Sequence, residues 1–290
     1  MNHTHLALQA INNGAVLYGS LSGGKDGQAM VNVLIKSGLK IEGLVHADLG
    51  SMEWPESMGM CKRQSVRYNI PLHVVTRHDG YGLFEHIRRR MEKLTGTGKP
   101  FWPSSTTRYC TSDTKREPIN KFLRNCGHDF IISCEGIRAE ESAGRARKDP
   151  IAIRVGMTST YYDGMSVGEA IAALKPGKRL ALTWYPIFEY TLPMVWATEA
   201  MTPDHLARAR MQYENNYTIP EWWQFHPAYV YGNDRVSCMF CVLGSKNDLE
   251  VAALHNPTLL RALIDLEEEG DSTFKNRFSL KELGTQPILT

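Results

Sequence analysis

Residues 15–38 read AVLYGSLSGGKDGQAMVNVLIKSG, and this stretch decides the fold of the chain. Its first part, Ala15–Ser20, is a mostly apolar run of the length expected for a buried strand. Its last part repeats apolar residues at helical spacing and stops at Gly38, which is typical of a helix C-terminus. The residues between these two parts therefore connect a strand to a helix.

The connecting loop is Ser22-Gly23-Gly24-Lys25-Asp26. Two adjacent glycines let the backbone approach an anion closely, and the N–H groups at the start of the following helix attract negative charge. Lys25 adds a mobile cation that suits a polyphosphate. An ordinary glycine-rich turn would not need the lysine and the aspartate together. A Walker A loop is excluded because that motif requires Ser or Thr directly after the lysine.

Strand-like and helix-like segments continue to alternate along the chain. The strand-like segments are 40–50, 71–78 and 128–137, and the helix-like segments are 54–70, 81–95 and 114–127. Such alternation implies a parallel sheet covered by helices on both faces. The predicted fold class is therefore α/β, with a doubly wound parallel sheet and a helical C-terminal part. Ligands in such sheets bind at the carboxyl ends of the strands.

The pattern changes in the second half of the chain. Residues 139–180 are polar and broken by glycine and proline, which indicates a long excursion or hairpin. A strand and a helix follow, and the remainder is helical and rich in aromatic residues. We expect an α/β domain carrying the loop over residues 1–200, and a helical region over residues 201–290 that packs over the site.

Bulk composition narrows the class of protein. The chain has 290 residues, of which 42% are hydrophobic and 22% charged, as in a soluble globular protein. A formal net charge of +2 does not by itself predict nucleic-acid binding. No window reaches ~18 consecutive apolar residues and no signal-peptide pattern is present, so neither a membrane span nor export is predicted. Six cysteines in a chain of this length do not form a disulfide framework, and we expect a cytoplasmic protein.

Three cysteines carry candidate chemistry. Cys238 and Cys241 form a CxxC motif, and Cys110 lies in the segment YCTSDTK. Three thiolates can hold an iron–sulfur cluster with one open iron site, or zinc with a fourth ligand such as histidine. The pair can instead serve as a redox dithiol or a persulfide carrier, or be structural. The remaining three are expected to be structural: Cys61, Cys126 and Cys134.

Two arginines follow the end of the last strand-like segment, in GIRAEESAGRAR. Arg138 and Arg145 can clamp phosphate oxygens, because guanidinium groups match them with paired hydrogen bonds. The alternative is a salt-bridged surface loop.

Together these segments resemble a known group of proteins. SGGKDG after VLYGSL is similar to the pyrophosphate loop (PP-loop) of the adenine nucleotide α-hydrolase-like superfamily, whose usual form is SGGKDS. Further segments resemble that superfamily and its phosphoadenosine-phosphosulfate (PAPS) reductase-like branch, in the same order along the chain. They are LVHADLGSMEWPES, YCTSDTKREPI, EGIRAEESAGRAR and YPIFEYTLPMVW.

The resemblance implies a nucleotide site, because members of this superfamily cut or use the α–β linkage of ATP. It implies that Lys25, Asp26 and Arg138 are catalytic and that Asp48 lies near the nucleotide. ATP is expected to bind with Mg²⁺. The residues expected to bind the cofactor are Ser20, Ser22, Gly23, Gly24, Lys25, Asp26, Gly27, Asp48 and Arg145. Gly27 stands where the family usually has serine, and the hydroxyls of Ser20 and Ser22 can compensate.

The branch sets the predicted reaction. PAPS reductases carry a nucleophilic cysteine near the C-terminus, in the context ECG[IL]H, and this sequence has no cysteine after Cys241. The resemblance then points to the ATP pyrophosphatases of DNA phosphorothioation, which would adenylate a backbone oxygen that sulfur replaces. Cys110, Cys238 and Cys241 would bind a [4Fe–4S] cluster.

The implied partners are ATP, a cysteine desulfurase or other sulfur donor, DNA-modification proteins and a nucleic-acid acceptor. Binding to a membrane is not expected. A homodimer is compatible with the sequence. Three alternatives stay open: a PAPS- or APS-reductase-like enzyme, a tRNA thiolation enzyme, and an ATP-sensing scaffold without catalysis.

Overall fold

The computed structural model describes residues 3–276 and 278–283, and its centre is a six-stranded sheet. The strands are β1 (Val16–Leu21), β2 (Ile41–Ala47), β3 (Leu72–Val75), β4 (Phe130–Glu135), β5 (Ile151–Ile153) and β6 (Leu180–Trp184). Their order across the sheet is β3-β2-β1-β4-β6-β5. β1 pairs in parallel with β2 and β4, and β4 pairs in parallel with β6. β5 is antiparallel to β6.

Helices connect and flank these strands. They are α1 (His3–Asn12), α2 (Lys25–Lys36), α3 (Glu56–Tyr68), α4 (Leu83–Leu94), α5 (Tyr109–Thr111), α6 (Glu117–Arg124), α7 (Ala143–Ala146), α8 (Val167–Ala172), α9 (Leu192–Ala197), α10 (Pro203–Asn216), α11 (Ala228–Tyr231), α12 (Lys246–His255) and α13 (Pro257–Glu269). Within the described part of the chain, none of them has both the length and the apolar character that crossing a membrane requires.

The sheet is buried on both faces. Successive side chains of a strand point to opposite sides of the sheet, so neighbouring residues report on different faces. Leu17 of β1 and Leu44 of β2 belong to one hydrophobic cluster. The neighbouring Tyr18 and Val45 belong to another, together with Leu123 of α6. The predicted α/β fold with helices on both faces of the sheet is confirmed, and the sheet is parallel as predicted except at β5.

The chain divides into two compact units that are not contiguous in sequence. The first unit comprises residues 1–46, 58–75 and 119–207, and the second comprises residues 47–57, 76–118 and 208–290. The second unit has its own hydrophobic core, in which Leu83, Phe240 and Leu263 are buried. Two segments that lie inside the predicted 1–200 domain therefore group with the C-terminal residues. The predicted boundary at residue 200 stays a prediction.

Two elements differ from the sequence pattern. Helix α1 is not predicted, because its polar segment buries only Ala7 and Ala10. The predicted excursion over 139–180 contains α7, β5 and α8 as well as turns. β5 has three residues, which is too short for an alternating pattern to show.

Candidate functional site

The predicted phosphate loop is the turn between β1 and α2. Gly23 has a φ of 75°, in the left-handed region that glycine adopts without strain. Gly24 is the N-cap of α2, and no side chain among the described residues caps the helix there. The first N–H groups of the helix can therefore serve an anion.

Asp26 lies between two cations. Its Oδ2 accepts a hydrogen bond from Lys25 Nζ at 3.0 Å, and its Oδ1 accepts one from Arg138 Nε at 2.7 Å. Lys25 and Arg138 are each only 4% exposed, so these charges interact in a setting of low dielectric, where such bonds are strong. The structure thus brings together the three residues predicted to be catalytic.

Arg138 is also held from the opposite side. Its Nη1 donates to the carboxylate of Glu140 and to the carbonyl of Tyr190. Burial lowers the pKa of the guanidinium, but attraction and hydrogen bonding to Asp26 raise it by more, with further help from Glu140, so the group stays charged. Glu140 in turn accepts the N–H of Leu192 at 2.8 Å. Arg138 is therefore fixed against the start of α2.

Gly136 accounts for the close approach between the end of β4 and the loop. A Cβ at this position would lie 2.5 Å from the carbonyl carbon of Asp26 and 2.7 Å from the backbone nitrogen of Gly27. Both distances are well inside van der Waals contact, which for carbon begins near ~3.5 Å. Only glycine permits this approach, which places Arg138 beside Asp26.

A buried polar network anchors the flank of α2. Glu199, whose side chain is 3% exposed, accepts hydrogen bonds from Gln28, Asn32 and Arg67 at 2.7, 2.8 and 2.7 Å. Burial raises the pKa of Glu199, but the hydrogen bonds from Arg67, Asn32 and Gln28 bring it below its ordinary value. The carboxylate therefore stays ionised and ties α2 and α3 to the segment after α9.

The serines and Gly27 of the loop occupy different settings. Ser20 is partly buried at the end of β1, whereas Ser22 is exposed. Gly27 lies in the first turn of α2, where a Cβ would meet Leu21 Cδ2 at 3.2 Å. Their predicted contacts with phosphate stay predictions.

Arg145 and Asp48 are each engaged locally. Arg145 on α7 pairs with Glu141, which is the salt-bridged alternative for this arginine. Asp48 follows β2 and belongs to the second unit, where its Oδ1 accepts the N–H of Gly50 at 2.8 Å. This is the local turn that aspartate favours. Their predicted roles at the nucleotide stay predictions.

The three candidate cysteines all belong to the second unit. A hydrogen bond from Cys238 lowers the pKa of Cys241 well below its ordinary value, against the effect of burial, and the N–H of Leu243 contributes. The same bond, with burial, raises the pKa of Cys238. Burial also raises the pKa of Cys110, and the nearby charge of Cys241 adds to this. The CxxC pair therefore favours a thiol beside a thiolate.

Among the residues that the structure describes, no group of three or more His, Cys, Asp or Glu side chains is arranged to hold a metal ion. All six cysteines are free of disulfide bonds. The cluster or zinc site predicted at Cys110, Cys238 and Cys241 stays a prediction, and no step proposed below depends on it.

Neither Gly136 nor Glu199 is predicted to be a site residue, although Gly136 lies within the segment EGIRAEESAGRAR. Gly136 and Glu199 position the loop through contacts with α2, which is distant from both in sequence. The contact between Asp26 and Arg138 is also long-range and spans 112 positions. A glycine directly after a strand is the only local signal for Gly136. Glu199 has none, because nothing in its own segment reveals that Gln28, Asn32 and Arg67 converge on it.

The sheet order and the buried ion pairs define an α/β protein whose predicted phosphate loop lies at the end of its first strand. The family model described as phosphoadenosine phosphosulfate reductase domain matches residues 16–202, and the chain belongs to that family. Members of the family are enzymes, which supports an enzymatic role in general.

The individual proteins to which the chain is similar share less than 30% sequence identity with it. An uncharacterized protein of Methanocaldococcus jannaschii is 26% identical over 223 residues, a match that covers 77% of this chain. The match covers 35% of that relative, so the chain spans about a third of its length. Among solved structures, the PAPS reductase from Candida auris in its phosphate complex is 14% identical, with a TM-score of 0.48. That match covers 83% of this chain and 90% of the reductase chain.

Proposed function

We propose that this protein is an ATP pyrophosphatase that adenylates an acceptor oxygen and so prepares it for replacement by sulfur. The observation that carries the proposal is the buried Lys25–Asp26–Arg138 arrangement at the N-terminus of α2. Two cations beside a row of backbone N–H groups suit a leaving group that bears several negative charges. Pyrophosphate is such a leaving group.

The reaction proposed is a displacement at the α-phosphorus of ATP. The acceptor oxygen attacks this phosphorus, the α–β bond breaks, and pyrophosphate leaves with the bonding electrons. Lys25 is expected to turn from Asp26 to the departing phosphates, because its flexible ammonium can change partners. Arg138 stays paired with Asp26 and Glu140 and holds the loop in position.

The proposed metal accompanies the nucleotide. Both oxygens of Asp26 are already paired with cations, so Mg²⁺ would be bound mainly by the triphosphate, and Asp26 would be the loop residue that helps to hold it. Magnesium would neutralise charge on the phosphate oxygens.

The acceptor that we propose is a DNA backbone phosphate. After adenylation, a sulfide would attack the phosphorus that bears the adenylated oxygen, and AMP would leave with that oxygen. The Cys238–Cys241 pair supports a role in handling sulfur. One thiolate would take sulfane sulfur from the donor's persulfide, and the other thiolate would attack the inner sulfur of the new persulfide. Sulfide would leave, and the disulfide formed between the two cysteines would be reduced by an external thiol. A cysteine desulfurase or other sulfur donor would supply the sulfane sulfur. Sulfur-dependent modification of DNA rather than of tRNA, detected by mass spectrometry in cells with and without the gene, tests this choice.

The central test uses ATP labelled at the α-phosphate. The wild-type protein should produce labelled AMP and unlabelled pyrophosphate, with the acceptor present where turnover requires it. Formation of labelled ADP and inorganic phosphate would contradict the proposal.

The family assignment equally supports a second candidate, a sulfonucleotide enzyme acting on PAPS or APS. Both compounds present phosphate and sulfate groups that the same loop can bind. Thiol-dependent sulfite release from either compound, without pyrophosphate release from ATP, would favour this candidate.

A further inference from the structure

A narrow crevice borders the phosphate loop. Gly23 and Gly24 of the loop line one side, and Met60, Cys61 and Gln64 of α3 line the other. All belong to the first unit. The space between these described residues does not admit a water molecule.

Gln64 is unusual within this crevice. It is only 2% exposed, and neither its Oε1 nor its Nε2 has a hydrogen-bond partner among the described residues. Buried amides are normally paired, because leaving them unpaired costs stability. In this conformation of the loop, the amide of Gln64 has neither a partner among the described residues nor room for a water molecule, so a ligand reaches it only when the loop shifts.

The position of Gln64 is fixed by its helix. One turn further along α3, Arg67 is bound to Glu199 at 2.7 Å and the hydroxyl of Tyr68 donates to Asn32 of α2 at 2.6 Å. These contacts hold α3 beside α2. The amide of Gln64 is therefore presented to the loop by two packed helices.

We propose that Gln64 is a further binding residue of the phosphate loop. When the loop binds a phosphoanhydride, Gln64 Nε2 donates to one of its oxygens and Oε1 accepts a backbone N–H of the loop. The adjacent glycines allow the small backbone shift that this needs. Gln64 adds a neutral donor to a site whose charge comes from Lys25 and Arg138. The inference rests on the proposed function only in taking the ligand to be a phosphoanhydride.

Calorimetric titration of the full chain with inorganic pyrophosphate tests this role. Gln64→Met keeps the length and apolar part of the side chain but removes the amide. We expect the dissociation constant for pyrophosphate to increase by about tenfold or more, because the variant loses one hydrogen bond to a charged group. The melting temperature should stay the same or rise, because an unpaired buried amide is removed.

Ser133→Ala is the matched control. Ser133 of β4 is 1% exposed and its Oγ also lacks a partner among the described residues. This change should leave pyrophosphate affinity unaltered. Equal affinity of the wild-type protein and Gln64→Met, or a loss that follows a fall in melting temperature, would overturn the inference alone. Absence of pyrophosphate binding by the wild-type protein would overturn the proposed function and the inference together.

Discussion

The predicted phosphate loop and the three candidate cysteines, Cys110, Cys238 and Cys241, occur in opposite ways along the chain. The loop consists of consecutive residues, and its predicted anion binding depends on backbone geometry at Gly23 and Gly24. Cys110 belongs to the same unit as a CxxC pair more than a hundred residues later, and the charge of Cys241 helps to raise the pKa of Cys110. When a site consists of consecutive residues, its chemistry can be predicted from their identity and spacing. When a site consists of residues distant in sequence, its chemistry depends on contacts that the spacing does not show. Five variants can break or sharpen this contrast.

The largest effect is expected for Lys25→Ala. Loss of the cation should slow pyrophosphate release by ~10²–10³-fold, as for removal of one charge-stabilising group. Lys40→Ala is the control, because Lys40 is exposed and pairs only with Glu42 on the surface in the described structure. Normal release by Lys25→Ala would show that the loop assignment is wrong.

Gly136→Ala tests the close approach behind the loop. The added Cβ would overlap the backbone of Asp26, so we expect a loss of about 1–3 kcal/mol in the free energy of unfolding, together with weaker pyrophosphate binding. Denaturant unfolding and calorimetry measure the two effects. Gly59→Ala is the control, since a Cβ there meets no atom within 4 Å, and it should keep both properties.

Glu199→Gln tests the anchoring network by its pH dependence. We expect a loss of about 1–2 kcal/mol of unfolding free energy at pH 7, because three donors lose a charged acceptor. The folded-state pKa of Glu199 lies below its ordinary value, so the wild-type advantage is present above that value and disappears as pH falls through the folded-state pKa. Unfolding curves across this range check the sign, and an advantage that grows in acid would contradict it.

Cys238→Ala tests the thiol pair. Without the Cys238 thiol as donor, the pKa of Cys241 should rise and its alkylation at neutral pH should slow by about tenfold, because the thiolate is the reactive form. In the wild-type protein the rate should fall as pH falls through the lowered pKa. Mass spectrometry of iodoacetamide-treated protein measures this, with Cys126 as internal reference. Protection of all three candidate cysteines after iron–sulfur or zinc loading would support the predicted metal centre.

The smallest effect is expected for Gly27→Ser. The new side chain must displace Leu21 Cδ2, which lies 3.2 Å from the Cβ position, but serine also suits the helix better than glycine. Stability should change by no more than about 1 kcal/mol, and pyrophosphate release should continue. Loss of release in this variant would show that the family's usual serine cannot be accommodated here.

The same contrast explains how much the sequence predicts. β1, the loop and α2 follow from apolar spacing and two glycines, and the parallel sheet follows from alternation. Arg138 is predicted from its motif, although its bond to Asp26 is not. Gly136, Glu199 and Gln64 are defined by contacts between distant segments, and no local pattern reports such contacts. β5 is missed because three residues are too few to show an alternating pattern. Segments 47–57 and 76–118 belong to the same unit as the C-terminal residues because of packing, which the sequence pattern does not show.

The ion pairs of the loop have a consequence for how a polyanion reaches it. Lys25 and Arg138 contribute two positive charges, and Asp26 and Glu140 contribute two negative ones. The four groups form a chain of three ion pairs, in the order Lys25, Asp26, Arg138 and Glu140. Such a group is electrically neutral and projects little field into the solvent, so added salt has little attraction to screen. Capture of a triphosphate then depends on short-range encounter with the backbone N–H groups, and the lysine charge becomes available only when the ammonium exchanges its carboxylate for a phosphate.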